Sequence, residues 1–162
     1  MMRVTLRKML PSEFDTFRVK LVREYAAANV SAGRWSAEEA EEQSAIQTNE
    51  LLPKGLESPR VLLMMAENDE TETVGHVWVG LDRRGPAGGG AWIYDIEVAE
   101  AYRGQGYGRA TLHAAEQETL KNGVSTIGLN VFGTNTVART LYESSGYEIT
   151  SQQMQKEIKA SD

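Results

Sequence analysis

The N-terminal third of the chain carries the spacing of one strand followed by two helices. Residues 4–9 are predicted to form the strand. Pro11 suits the first turn of a helix, and Phe14 and Phe17 then recur at the interval of one helical face. A second helix is expected to begin after Ser36, because the sequence Ser-Ala-Glu-Glu has the form of a capping box.

The middle of the chain changes to the two-residue period of strands. Residues 60–67 and 73–81 are predicted to be paired strands joined by the polar stretch 68–71, and residues 82–90 are predicted to be a loop. Residues 91–98 then alternate as a third strand. Its two predicted faces are Trp92, Tyr94, Ile96 and Val98 on one side and Ile93, Asp95 and Glu97 on the other.

The second half of the chain predicts two more helices and two more strands. A helix is expected from about Tyr107 to Lys121, because Asn122 and Gly123 form a typical helix stop. A strand over residues 125–132, a short helix ending at Gly146 and a last strand over residues 147–158 complete the pattern. The fold class is therefore predicted as α+β, with a central mixed, mostly antiparallel sheet, helices on both faces and a single domain over residues 1–162.

Composition narrows the function class. The 41% hydrophobic and 25% charged content is typical of a soluble globular protein, and the absence of cysteine excludes disulfides, thiolate metal sites and a cysteine-bound acyl intermediate. The charged residues 1–8 do not resemble a secretory signal, and no apolar run is long enough for a membrane span. We therefore expect a cytoplasmic protein that does not bind a membrane.

Charge is unevenly distributed. Residues 61–100 hold two basic and eight acidic residues, so this segment accounts for the whole net charge of −6. Such a balance argues against a nucleic-acid partner. The acidic segment either attracts a cationic substrate or simply solvates a turn.

Three glycines between the third predicted strand and the next helix indicate an anion site. Gly104, Gly106 and Gly108 place bare backbone N–H groups at a helix N-terminus, where an anion is favoured. Arg103 adds a cation suited to phosphate oxygens. The stretch is interpreted as a diphosphate site. The chain lacks the glycine spacing of a P-loop or a Rossmann site, so ATP and dinucleotides are the less favoured ligands.

These residues resemble a known superfamily. Arg-Gly-Gln-Gly-Tyr-Gly at residues 103–108 fits the pattern Gln/Arg-x-x-Gly-x-Gly/Ala of the GCN5-related N-acetyltransferases (GNAT), and Ile-Glu-Val at 96–98 precedes it as in that superfamily. The block LNVFGTNTVARTLYESSGY at residues 129–147 resembles the second GNAT motif. The resemblance is specific over residues 91–150 and implies a bacterial-type single-domain member, whose strands splay apart after Val98 and around Asn130.

The resemblance implies acetyl-CoA as acyl donor, with no metal. The CoA diphosphate is expected on backbone N–H groups, and the pantetheine arm on the backbone of Ile96 and Val98. Asn135 matches an asparagine that contacts the cofactor arm, although it also suits a helix N-cap. The expected diphosphate-binding residues, together with Arg103, are Gly104, Gln105, Gly106, Tyr107, Gly108 and Arg109.

The resemblance also suggests roles in the reaction. Tyr142 is the expected general acid for the CoA thiolate and could also bind the cofactor; the alternative is a core aromatic. Glu97 and Asp95 are candidate general bases, with ordered water, cation recognition or a solvated strand face as alternatives. The Val98 N–H is the expected oxyanion donor unless it serves only the strand ladder. His76 and His113 are expected to be structural, with proton transfer by His76 as the alternative.

The predicted function is transfer of an acetyl group to a primary amine of a small molecule or peptide by direct attack in a ternary complex. A GNAT module that binds acyl-CoA without turnover, as a sensor or partner domain, is the alternative. A homodimer is one possible assembly. Release of CoA thiol in the presence of an amine would distinguish the enzyme from the silent module.

Overall fold

The computed structural model describes residues 2–82 and 89–160. The chain divides into two compact units, residues 1–130 and 131–162. Positions 83–88 of the predicted 82–90 loop lie outside the described residues.

The first unit is built on a five-stranded sheet in the order β1-β2-β3-β4-β5. The strands are β1 (Thr5–Lys8), β2 (Val61–Glu67), β3 (Thr73–Gly80), β4 (Ala91–Val98) and β5 (Ile127–Leu129). The first four strands are antiparallel to their neighbours, and β5 runs parallel to β4. The mixed, mostly antiparallel sheet is therefore confirmed, including the predicted pairing of β2 with β3.

Within residues 2–82 and 89–130, three helices and two short 3₁₀ turns accompany this sheet. They are α1 (Pro11–Ser31), α2 (Ala40–Leu51), α3 (Tyr107–Lys121) and the turns Gly55–Glu57 and Glu100–Tyr102. Helix α2 starts later than predicted, since its N-cap is Glu39 and no side chain caps it. The reason is that the Ser36 hydroxyl bonds the Glu39 carboxylate at 3.3 Å instead of a backbone N–H, so the predicted capping box does not form.

Helices cover both faces of the sheet, as predicted. Phe14 and Phe17 of α1 share a core with Leu63 of β2. Ala66, three residues further along β2 and hence on its opposite face, packs with Tyr107 of α3. One face of the sheet thus belongs to α1 and the other to α3.

A β-bulge at Tyr94 corrects the predicted faces of β4. The ladder with β3 uses Asp95 and Ile93 but omits Tyr94. The Tyr94 ring stacks on Trp78, with centroids 4.6 Å apart, in the core under α1. The predicted alternation was therefore wrong at this point: Tyr94 lies on the face of Asp95 and not on that of Ile96.

The second unit contains α4 (Thr136–Ser144). The last strand, predicted over residues 147–158, is absent, because the described residues from 147 to 160 have no regular secondary structure. Their apolar side chains Ile149, Met154 and Ile158 are exposed, so the alternation found in the sequence has no sheet face to cover.

None of the described helices combines the length and apolar character needed to cross a membrane.

Candidate functional site

The edge of β4 opens next to β5. The parallel ladder joins β5 only to Ala91, Trp92 and Ile93, although the predicted β5 strand was longer. Residues 94–98 of β4 therefore have no strand partner on this side among the described residues. On β5 the separation begins at Asn130, as the resemblance implied, whereas on β4 it begins before the predicted point after Val98. The opened edge offers backbone N–H and C=O groups to an extended ligand, as an added strand would use them.

The glycine cradle, residues 104–108, follows this edge and leads into α3. Gly104 and Gly106 have φ of 72° and 93°, in the left-handed region that favours glycine. The Ala110 N–H donates to the Gly106 carbonyl at 3.2 Å, so the N–H groups of Tyr107 and Gly108 lie before the first bond of the helix. These groups and the positive end of the helix dipole suit an anion.

Open space lies in front of the cradle. A Cβ at Gly104 would meet nothing within 4 Å, and one at Gly106 would meet only Met2 Cγ at 3.5 Å. A surface cavity of about 340 Å³ is lined by Met2, Gln105, Gly106, Arg109 and Ala110. The glycines are thus required by their backbone conformation and leave room for a group as large as a phosphate, so the cradle fits the diphosphate of CoA.

The chain before the cradle is held by aromatic and polar contacts. The rings of Tyr102 and Tyr107 meet edge to face with centroids 5.7 Å apart. Burial raises the pKa of Tyr102, and a hydrogen bond with Glu72 raises it further. The Gln105 amide donates to the Ala101 carbonyl at 3.0 Å. These contacts fix the direction in which the chain enters α3.

Arg103 contacts the end of β4. Its Nε donates to the Val98 carbonyl at 3.0 Å, and its Nη2 lies 3.8 Å from Glu97 Oε1. The predicted phosphate contact of this guanidinium stays a prediction, and so does the predicted use of the Val98 backbone by a ligand.

Asp95 and Glu97 lie on the same face of β4, as predicted, and each has a partner. His76 Nε2 is 2.6 Å from Asp95 Oδ2. Lys20 Nζ of α1 donates to Glu97 Oε1 at 2.5 Å. The ladder places His76 directly opposite Glu97, so the two pairs are neighbours on the face covered by α1.

The pair between Lys20 and Glu97 favours the charged form of the lysine. The hydrogen bond to Glu97 and the charge of that carboxylate raise the pKa of Lys20, whereas partial burial opposes the shift. Lys20 is therefore held in its protonated form beside Glu97, a candidate general base. Sequence reasoning missed this contact, although Lys20 follows Phe17 by three residues and so shares its helical face.

In the second unit, α4 carries the other two predicted residues. Asn135 is the N-cap of α4, and its Oδ1 accepts a hydrogen bond from the Ala138 N–H at 3.1 Å. The capping alternative is thus confirmed, and the contact of Asn135 with a cofactor stays a prediction. Tyr142 is half-buried, and its ring centroid lies 5.8 Å from that of Tyr147.

Among the described residues, no group of three or more His, Cys, Asp or Glu side chains is placed to hold a metal ion.

Comparison with known proteins identifies the family. A model described as the acetyltransferase (GNAT) family matches residues 21–147. The uncharacterized N-acetyltransferase YycN of Bacillus subtilis is 34% identical over 97% of this chain and 100% of its own. The crystal structure of YycN superposes with a TM-score of 0.85 over 97% of this chain and 99% of that chain.

Two further matches are more distant. The [ribosomal protein bS18]-alanine N-acetyltransferase of Escherichia coli K12 is 42% identical over 57 residues, which is 35% of this chain and 38% of that protein. The structure of AAC(6')-Iy in complex with the bisubstrate analog CoA-S-monomethyl-acetylneamine shares the fold, with a TM-score of 0.62 at 16% identity over 98% of this chain and 99% of that one. With the family model covering most of its length and a relative aligned from end to end, this chain belongs to the acetyltransferase (GNAT) family.

Proposed function

We propose that this protein is an acetyl-CoA-dependent N-acetyltransferase that acts on a primary amine of a small molecule or peptide. The observation that carries the proposal is the open edge of β4 leading directly into the glycine cradle. An edge that can pair with an extended arm, followed by a site for a diphosphate, matches the two chemical parts of CoA. The complex of AAC(6')-Iy with a CoA-containing bisubstrate analog supports this donor.

Donor binding divides between these two features. The diphosphate is assigned to the backbone N–H groups of residues 104–109, and Arg103 supplies positive charge nearby. The pantetheine arm is assigned to the backbone of Ile96 and Val98, which requires the Arg103 side chain to release the Val98 carbonyl that it contacts in this structure. Asn135 is assigned to the arm through its amide nitrogen, since its Oδ1 caps α4.

The reaction is direct attack of the amine on the thioester. The chain has no cysteine to carry an acyl intermediate, so a ternary complex is the simplest route. Tyr142 is assigned as the general acid, because a phenol is protonated at neutral pH and can donate to the departing thiolate. The Val98 N–H is assigned to the oxyanion. We propose that both units act together as one catalytic domain.

We assign the acceptor as a primary amine and propose no particular net charge for the rest of the acceptor molecule. The acidic residues Asp95 and Glu97 each have a basic partner, so these two carboxylates are not unpaired charges that would attract a cationic acceptor. The Escherichia coli relative is named for an alanine of ribosomal protein bS18, and the structural neighbour AAC(6')-Iy was solved with the bisubstrate analog CoA-S-monomethyl-acetylneamine. These names support amines on a peptide or a small molecule as the classes to test.

A GNAT module without turnover is the second candidate. Two contacts favour it: Arg103 donates to the Val98 carbonyl, which is expected to hold the pantetheine arm, and Lys20 donates to Glu97, a candidate base, so both groups already have protein partners. This candidate predicts acetyl-CoA binding with no thiol release.

Release of CoA thiol tests the proposal. Purified protein and acetyl-CoA are incubated with spermidine, kanamycin, a lysine-containing peptide and a peptide with N-terminal alanine. Amine-dependent thiol release together with a mass gain of one acetyl group on the amine supports the enzyme. Tight binding of acetyl-CoA without release from any amine supports the silent module.

A pair of glycine variants tests the cradle. Gly106→Val places a side chain in front of the N–H groups and should abolish acetyl-CoA binding in calorimetry. Gly123→Val is the matched control, because Gly123 also has a positive φ, 80°, and a Cβ there would meet nothing within 4 Å, but it lies beyond the other end of α3. Both variants carry similar backbone strain, so only the first should lose affinity. Equal affinities in the two variants would remove the cradle from the proposal.

A further inference from the structure

The contact between His76 and Asp95 is a second short polar contact on the α1 face, next to that of Lys20 with Glu97. His76 lies on β3 opposite Glu97, and its neighbour Gly75 pairs with Val98, the proposed oxyanion donor. The side chains of His76 and Asp95 are 16% and 28% exposed, so the pair is mostly buried but retains some contact with solvent.

The chemistry of this contact selects one tautomer of His76. An ionised carboxylate only accepts hydrogen bonds, so the hydrogen between the two residues sits on Nε2. A neutral imidazole protonated on Nε2 carries its lone pair on Nδ1. No hydrogen bond to Nδ1 is formed among the described residues, which leaves this nitrogen able to accept a proton.

Both apolar and charged residues surround His76. The Phe17 ring from α1 meets the imidazole edge to face at 5.1 Å, and Met65 of β2 is its ladder partner on the other side. Its charged neighbours on β4 are Asp95 and Glu97. From other elements, Lys20 and Arg103 contact Glu97. Arg7 of β1 lies opposite Met65 on the same face, and it pairs with Glu13 and Glu67.

Glu97 is the weaker candidate for proton acceptance. Its Oε1 accepts a hydrogen bond from Lys20 and faces the Arg103 guanidinium, so taking a proton would break an ion pair. Asp95 is also engaged, but its partner is itself a base. A proton arriving at Nδ1 of His76 would create an imidazolium that the Asp95 carboxylate stabilises.

We propose that His76 Nδ1 accepts the proton of the acceptor amine and that Asp95 is the positioning residue that fixes its tautomer. This inference rests on the proposed acetyltransferase function. The ammonium form of the amine gives one proton to Nδ1, and its freed lone pair forms a bond to the thioester carbon while the carbonyl electrons move to oxygen. The carbonyl then re-forms from the oxyanion as the C–S bond breaks, and the electron pair of that bond goes to sulfur. Tyr142 donates its proton to the departing thiolate, the second amine proton replaces the one that Tyr142 gave, and His76 returns its proton to solvent.

NMR of the histidine side chains tests the tautomer without any acceptor. The chain has only two histidines, so His113→Gln assigns the spectrum. Long-range ¹H–¹⁵N correlations should show His76 protonated on Nε2 at neutral pH, and Asp95→Asn should weaken that preference. A His76 protonated on Nδ1 in the neutral wild-type protein would overturn the proposal.

The pH dependence of turnover tests the role itself, with the amine that releases most thiol in the panel above. The kcat/KM of the wild-type enzyme should fall on acidification with the same midpoint at which NMR shows His76 to titrate. His76→Gln should lower kcat by about 10²–10⁴-fold and remove this limb, while KM for acetyl-CoA stays unchanged. Asp95→Asn should cause a smaller loss and move the limb. His113 is exposed on α3, so His113→Gln should keep the kcat and the pH profile of the wild type.

The outcomes separate the inference from the function on which it rests. If wild-type protein releases no thiol with any amine, the acetyltransferase proposal fails and the proton-acceptor role fails with it. If wild-type protein is active and a folded His76→Gln variant keeps its kcat and its acid limb, only the inference fails. Melting temperatures of both histidine variants confirm that they are folded.

Discussion

Gly75→Ala should destabilise the sheet beside the candidate site. Gly75 pairs with Val98 at the end of the β3–β4 ladder. A Cβ built on Gly75 would overlap the Glu97 carbonyl oxygen and would lie 3.2 Å from both the Glu97 carbonyl carbon and Val98 Cα. The overlapped oxygen belongs to the backbone, so it cannot turn away as the end of a flexible side chain could. The strands themselves have to separate.

The size of the effect follows from this geometry. Overpacking a well-packed site costs about 1–3 kcal/mol, and a clash with backbone places this variant near the upper value. For a chain of this length, each kcal/mol lowers Tm by about 2–4 °C, so a cost of about 3 kcal/mol corresponds to about 6–12 °C. Because Glu97 and Val98 both move, acetyl-CoA affinity should fall as well.

Thermal unfolding followed by circular dichroism measures the shift. Gly133→Ala is the matched control, because a Cβ at Gly133 meets nothing within 4 Å and its φ is not positive. The control should melt close to wild type. A Gly75→Ala protein that melts within about 2 °C of the control would show that β4 can move aside at little cost, and the steric reasoning would be wrong.

Three further changes have defined outcomes. Tyr142→Phe should lower turnover by about 10²–10⁴-fold with unchanged acetyl-CoA affinity in calorimetry, and unchanged turnover would remove Tyr142 as the acid. The hydrogen bond from Arg7 lowers the pKa of Glu13, so Glu13→Gln should cost about 1 kcal/mol at pH 7. Urea unfolding of the variant and the wild type measures this cost. The difference between their urea midpoints should vanish as pH falls below the ordinary glutamate pKa of about 4.3 and through the lowered pKa of Glu13, and a difference that stays constant with pH would contradict the reasoning. Leu112→Ala, at a side chain 1% exposed, should cost about 2–5 kcal/mol in urea unfolding, and a smaller loss would mean that the α3 core collapses around the cavity.

Local patterns in the sequence were sufficient to predict strands β2, β3 and β4 and the start of α3. Strands β2, β3 and β4 followed from their apolar residues and the polar turn between the first two. The start of α3 followed from the glycines, because Gly106 adopts the left-handed conformation that few other residues tolerate. Each of these features depends on residues that are close in the chain.

The bulge at Tyr94 depends on residues far apart in the chain. Its ring stacks on Trp78, and the space for it exists because position 80 is glycine: a Cβ there would lie 2.7 Å from Tyr94 Cε2. A strict two-residue alternation cannot show that one residue is skipped. The same limit applies to residues 147–158, whose alternation predicted a strand although a strand also requires a neighbouring ladder.

Side-chain contacts from β3 and α1 also change the interpretation of the acidic segment, residues 61–100. Counted along the sequence, residues 61–100 are strongly acidic, which suggested attraction of a cation. In the structure, Glu97 has Lys20 as its partner and Asp95 has His76. The pair with Lys20 is partly exposed, so it stabilises the fold by less than about 1 kcal/mol. Its larger effect is chemical. A lysine held as an ammonium group cannot take a proton, whereas an imidazole held by a carboxylate can. Two carboxylates two residues apart on one strand therefore have different partners, and the roles that we propose for them differ because of what the neighbouring elements place against them.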